Sequence, residues 1–164
     1  MSQPSIRPQD SIVAGLINGV INGLIAYWQF KNFDTIPLSV NSISNNEISV
    51  WGEAISLTFG LGIILSLITA KLFIKQLNKT RQTEQFNIKS RLFINLLPAA
   101  IIQSAILFGW FITLAVIWTK YMGEVFVSNT LAAMLVGGFA FIITLFIEYR
   151  TKQNLIFKKV SIFN

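Results

Sequence analysis

Four long apolar stretches make up most of this chain of 164 residues, and they decide the solvent in which it folds. The stretches cover residues 11–30, 50–70, 92–119 and 125–147. A transmembrane helix needs about 20 apolar residues to cross the bilayer core, and each stretch reaches or exceeds that length. Only 12% of the residues are charged, against roughly 25% in an ordinary soluble domain. The sequence therefore predicts an all-α protein, a four-helix transmembrane bundle that forms one integral membrane domain over residues 1–164.

The Lys and Arg residues are distributed unevenly between the two sides of the predicted bundle. Two of them, Lys31 and Lys120, lie in the connections after the first and third spans, and eleven lie on the opposite side. Cytoplasmic loops of membrane proteins carry an excess of Lys and Arg, so we predict that both termini are cytoplasmic (N-in/C-in). Five aromatic residues on the other side are predicted to anchor the helices in the outer interface: Tyr27, Trp28, Trp51, Trp118 and Tyr121.

The residue types that are missing exclude several classes of chemistry. The chain has no Cys and no His, which removes disulfides, thiolate nucleophiles, imidazole bases and the usual ligands of zinc and haem. We therefore expect no metal site, no cofactor and no catalytic residue, so that the protein is not an enzyme. The net charge of +6 is predicted to serve contacts with anionic membrane lipids. Nucleic acid is not an expected partner, because no reading motif or stacking platform accompanies the basic residues.

Small residues form stripes on the first and fourth spans. Gly15, Gly19 and Gly23 recur every four residues and so share one side of a helix, and Gly137 belongs to a similar stripe. Helices in lipid associate through close backbone approach over small residues and through interhelical hydrogen bonds. We predict that these four glycines are helix-packing positions, either inside one bundle or toward a homo-oligomer or a partner membrane protein. The first span is expected to associate through its stripe.

Polar side chains within the spans are the candidates for a functional site. Asn18 and Asn22 lie in the stripe of the first span, Gln103 lies in the third, and Glu53 lies at the outer edge of the second. Because amides replace part of the hydration shell of an ion or polar solute, we favour a permease-like or channel-like protein. In it these four residues line a polar path or cavity, with Glu53 at the mouth. The alternative is a noncatalytic scaffold or accessory subunit with the same faces packed. Glu148 is predicted to lie at the inner membrane interface, where water or an adjacent cation, Arg150 or Lys152, offsets its charge.

The connection over residues 32–49 is the longest segment outside the spans. Its Ile36, Leu38 and Val40 alternate with other residues, which predicts a short extended piece before a turn rich in Asn. Two continuations remain open: a hairpin that returns through Ile48 and Val50, or an ordinary solvated loop.

Three segments carry a resemblance to a group of known sequences. The run GLINGVING over residues 15–23, followed by Trp28 and Phe30, resembles the first helix of small bacterial four-helix membrane proteins labelled hypothetical protein or permease. The turn around Trp118 and the ending EYRTK of residues 148–152 are similar too, so the likeness covers most of the chain. The resemblance implies a bacterial inner membrane location and a permease label, and it transfers no functional residue.

Overall fold

The computed structural model describes residues 8–40, 48–80 and 91–162, which form four helices and two short strands. The helices are α1 Pro8–Phe30, α2 Val50–Thr80, α3 Arg91–Met122 and α4 Asn129–Ile162, and the strands are β1 Thr35–Pro37 and β2 Phe126–Ser128. Each helix contains a segment long and apolar enough to cross a membrane: Gln9–Phe30, Val50–Gln76, Leu96–Met122 and Asn129–Ile156. Four helices of membrane-spanning length are therefore confirmed.

Helix α4 is the central helix, because both α1 and α2 pack against it. Helix α1 lies along one side of α4, α2 lies along another side, and α3 packs mainly against α2. The start of α1 is joined to the last turns of α4 by a hydrogen bond between Ser11 and Lys152. The first and last helices therefore begin and end at the same end of the bundle, called here the terminal end, and the two strands lie at the opposite, strand end. The assignment of the terminal end to the cytoplasm stays a prediction.

The two strands lie in the two loops at the strand end, β1 between α1 and α2 and β2 between α3 and α4, and their pairing joins these loops. Strand β1 is antiparallel to β2, with Ile36 opposite Val127. The pairing continues beyond the strands, because the Leu38 amide donates to the Val125 carbonyl over 2.7 Å. The extended piece predicted at Ile36 is present, but the hairpin return through Ile48 and Val50 is wrong, since Val50 opens α2 instead.

The predicted start of the fourth span at Val125 is also wrong, because residues 126–128 form a strand and α4 begins at Asn129. The physical reason is the helix cap. The Ser128 hydroxyl oxygen accepts a hydrogen bond from the Leu131 amide (3.4 Å), as Ser49 does from the Gly52 amide (3.0 Å) at the start of α2. An N-terminal Ser satisfies an amide that the helix itself leaves unpaired. A serine therefore caps the amino end of both helices, and α4 begins directly after Ser128 rather than at Val125.

An aromatic cluster fills the core near the strand end. The Trp51 ring stacks on Phe139 with 5.1 Å between ring centroids, and Phe111 meets Phe139 edge-on at 5.6 Å. Trp51 is only 6% exposed and Trp118 is half-buried. Neither is the interfacial anchor that the sequence predicted, because their rings complete the packing between helices. Tyr27, Trp28 and Tyr121 are exposed, as an interfacial position requires.

The buried indole of Trp51 supplies a first testable prediction. Its Nε1 atom is buried without a hydrogen-bond partner among the described residues, and an unpaired buried donor costs about 1–3 kcal/mol. We expect Trp51→Phe to keep the stack on Phe139 and to leave the free energy of unfolding nearly unchanged. Trp51→Ala is expected to lower it by about 3–5 kcal/mol, because the packing is lost. Reversible unfolding in mixed detergent micelles measures both. Equal losses in the two variants would contradict the prediction that Phe retains the packing of the Trp51 ring.

Candidate functional site

Glycines bring the backbones of α1 and α4 together along one line, called here the α1–α4 seam. A Cβ atom built on Gly137 would lie 2.7 Å from the Gly19 carbonyl oxygen, and one built on Gly19 would lie 3.0 Å from the Gly137 oxygen. Gly15 lies against the Phe141 ring, and Gly23 lies against the α4 backbone. The four glycines singled out in the sequence therefore meet in this seam, inside one copy of the chain.

Two amides of α1 border the seam near the middle of the span. Asn18 Nδ2 donates to Thr144 Oγ1 of α4 over 3.2 Å, and Asn22 Nδ2 donates to the Asn18 carbonyl over 2.9 Å. Both side chains are half-buried, and neither Oδ1 atom accepts a hydrogen bond from any described residue. At 1.5 Å per residue they lie about 14 and 20 Å along the helix from Gln9, which places both within the bilayer core.

A buried ion pair closes the seam at the terminal end. The Lys152 ammonium donates to Glu148 Oε2 over 2.6 Å and to the Ser11 hydroxyl of α1 over 2.9 Å. The Lys152 and Glu148 side chains are 12% and 10% exposed. Of the two predicted ways to solvate Glu148, the adjacent cation is the one present, because Lys152 compensates its charge inside the protein. The signal was present in the sequence, since a Glu four residues before a Lys on a helix favours this contact.

Gln103 lies at a different junction, where α2, α3 and α4 meet. Its Oε1 atom accepts hydrogen bonds from Ser66 Oγ of α2 (3.4 Å) and Thr151 Oγ1 of α4 (3.3 Å), and Gln103 is 7% exposed. Thr151 lies seven residues beyond Thr144, the residue that binds Asn18, which is about 10 Å along α4. The structure therefore does not bring Gln103 together with Asn18 and Asn22.

Glu53 lies in the first turn of α2 at the strand end. Its amide donates to the Ser49 carbonyl over 3.1 Å, as expected for a residue that opens a helix. The side chain is half-buried, and within the described residues its carboxylate has no hydrogen bond or ion pair. Ser66, which reaches Gln103, follows 13 residues later, or about 20 Å along the helix. The four residues predicted to line one path therefore occupy three separate places.

An open groove runs beside the seam on the surface of the bundle. It has a volume of about 360 Å³ and is lined almost entirely by apolar atoms. Val20, Leu24 and Tyr27 of α1 form one wall, and Thr130 and Met134 of α4 belong to the other. None of the four candidate path residues lines this groove.

Comparisons of the chain with protein-family models, with curated proteins and with solved structures found no match. Within the described ranges, no three His, Cys, Asp or Glu side chains are grouped so that they could hold a metal ion. The function is therefore argued from the contacts of this chain alone.

Proposed function

We propose that this chain is a noncatalytic multi-pass membrane protein, a scaffold or accessory subunit that acts by packing against another membrane-embedded helix. The observation that supports the proposal is how the polar side chains of the spans are used. A solute path needs polar atoms that face a hydrated hollow. Here Gln103 is buried in a three-helix junction and Asn18 binds α4 across the seam. The interior amides hold helices together.

The position of α1 supports the same proposal. In the most apolar stretch of α1 only 22% of the residues are buried, against 39% in the corresponding stretch of α4. Helix α1 packs mainly along one side of α4. Yet α1 carries both asparagines and three of the seam glycines. Polar and small residues in membrane helices concentrate where helices meet. The glycines are covered by α4, but Asn18 and Asn22 keep hydrogen-bonding groups that α4 does not use, so the edge of α1 beside them is suited to receive another helix.

A flux assay separates this proposal from the permease-like activity predicted from the sequence. Purified protein reconstituted in liposomes is expected to leave the flux of K⁺, Cl⁻ and a small neutral solute such as glycerol equal to that of empty liposomes. The physical reason is that Gln103 and Asn18 each bind a neighbouring helix at a separate place and do not line one continuous hollow. Liposomes that contain a pore-forming peptide provide the positive control.

Saturable flux of any of these solutes would contradict the proposal, provided that it falls in a matched variant. Gln103→Leu serves this purpose, because it removes the amide from the three-helix junction. Equal amounts of inserted protein, measured by protease protection, exclude a failure of reconstitution. If the flux disappears in Gln103→Leu, the function is permease-like and the scaffold proposal is wrong.

A further inference from the structure

The glycine stripe divides the surface of α1 into two flanks of different chemistry. With 100° between successive residues, Val20 and Leu24 lie on one flank, where they line the apolar groove. Asn18 and Asn22 lie on the other, called here the Asn flank. This flank is open at its edge, since Ile21 is 48% exposed and Ile25 is 50% exposed.

The Asn flank retains unused hydrogen-bonding groups. Each amide has one oxygen acceptor and two N–H donors, and each donates one hydrogen bond within the described residues. One acceptor and one donor per side chain therefore remain. Acyl chains offer neither a donor nor an acceptor, so these groups carry a large free-energy cost when they face lipid. They require a polar partner at the same depth in the membrane.

We propose that the partner on the Asn flank is a second copy of this chain, packed α1 against α1 about a two-fold axis along the membrane normal. This inference rests on the proposed function and names its partner. In such an arrangement every residue meets its own equivalent at equal depth. Asn18 then faces Asn18 and Asn22 faces Asn22, and one free acceptor and one free donor on each side satisfy each other in a reciprocal amide pair.

The spacing of the flank agrees with a helix pair. Asn18, Asn22, Ile25 and Gln29 recur at intervals of four, three and four residues, the repeat that forms the seam of a left-handed coiled coil. A polar Asn in such a seam fixes register and oligomeric state. An unrelated membrane protein would need two polar residues at these two depths, one helical turn apart. A second copy provides them automatically.

Single-cysteine cross-linking tests the geometry, and the natural chain has no Cys to interfere. Ile25→Cys on the Asn flank is expected to form a disulfide-linked dimer when membranes are oxidised, because the two Cα atoms must approach within about 7 Å. Val20→Cys on the groove flank is the matched control and is expected to stay monomeric. Cross-linking at Val20 and not at Ile25 would overturn the proposal.

Dilution in lipid tests the energetics. Fluorescently labelled protein is counted by photobleaching steps in liposomes over a range of protein-to-lipid ratios, and Asn22→Leu is expected to weaken the dimer about tenfold. The variant keeps its monomer fold, because the Asn22 side chain binds only its own helix in the described structure. Val20→Leu is expected to behave as wild type. An unchanged dissociation constant in Asn22→Leu, or a wild type that is monomeric at every ratio, would overturn the dimer.

The outcomes for the dimer and for the proposed function are distinguishable. If the protein is monomeric and the liposomes remain impermeable, the dimer is ruled out, and the scaffold function requires a different partner. If solute flux is observed and depends on Gln103, the proposed scaffold function is ruled out, whether or not the protein dimerises.

Discussion

Gly137→Leu is expected to destabilise the folded protein by about 3 kcal/mol, whereas Gly138→Leu is expected to be neutral or slightly stabilising. The seam leaves no space at Gly137, because an added Cβ would approach the Gly19 carbonyl oxygen to 2.7 Å. That oxygen belongs to the backbone and moves only if α1 and α4 separate, and overpacking of this kind typically costs about 1–3 kcal/mol. At Gly138 an added Cβ meets nothing within 4 Å, and leucine favours the helix more than glycine does.

Gly137→Leu and Gly138→Leu are a well-matched pair of variants, because the two glycines are adjacent in sequence and lie at nearly the same depth in the membrane. Unfolding in mixed micelles of increasing dodecyl sulfate content gives the free energy for each variant. A cross-link between cysteines at the strand-end turns of α1 and α4 reports whether α1 remains docked. Equal destabilisation in both variants would show that the seam does not depend on close backbone approach.

Lys152→Met is expected to lower the free energy of unfolding by about 3 kcal/mol, because it leaves the Glu148 carboxylate buried without its counter-charge. The variant also removes the hydrogen bond to Ser11, which joins α1 to the terminal end of α4. Replacement of both charged partners by apolar residues of similar size is often neutral. The double variant Glu148→Leu/Lys152→Met is therefore expected to recover most of the loss.

Lys75→Met provides the control for the ion pair, because Lys75 is exposed on α2. A double-mutant cycle measured by the same unfolding assay separates the coupling between the two charges from their individual effects. If the double variant is as unstable as Lys152→Met alone, the loss arises from the Ser11 contact or from packing, and the buried charge is not its cause.

The number of helices and their ability to span a membrane could be predicted from sequence, whereas the ends of α2 and α4 and the start of α4 could not. Hydropathy reports the free energy of transfer into lipid, and Val125, Phe126 and Val127 continue the apolar pattern of the following helix. The strand conformation of Phe126 and Val127 depends on a partner, β1, which lies in the loop between α1 and α2. The cap at Ser128 was the local signal that separates strand from helix.

The site residues show the same division between local pattern and distant partner. The four-residue spacing of Gly15, Gly19 and Gly23 defines a packing face, but no local pattern selects α4 as the helix that covers it. Likewise, residue type does not show whether an amide lines a hollow or binds a neighbouring helix. Gln103 binds Ser66 and Thr151, which are far from it in sequence. Only the Glu148–Lys152 pair could be predicted from neighbouring residues in the sequence.

The pairing of β1 with β2 sets an order of events during biosynthesis. Thr35 leaves the ribosome early, with the first helical hairpin, but its register partner Ser128 is made only after α3 has been synthesised. Individual helices insert before they associate in the bilayer, so β1 has no strand partner until the connection between α3 and α4 has been made. Completion of this small sheet therefore marks a chain in which the first three helices have been made and the start of α4 lies beside β1. A nascent chain that stops before Phe126 lacks the strand that pairs with β1, so nothing equivalent holds the loop between α1 and α2.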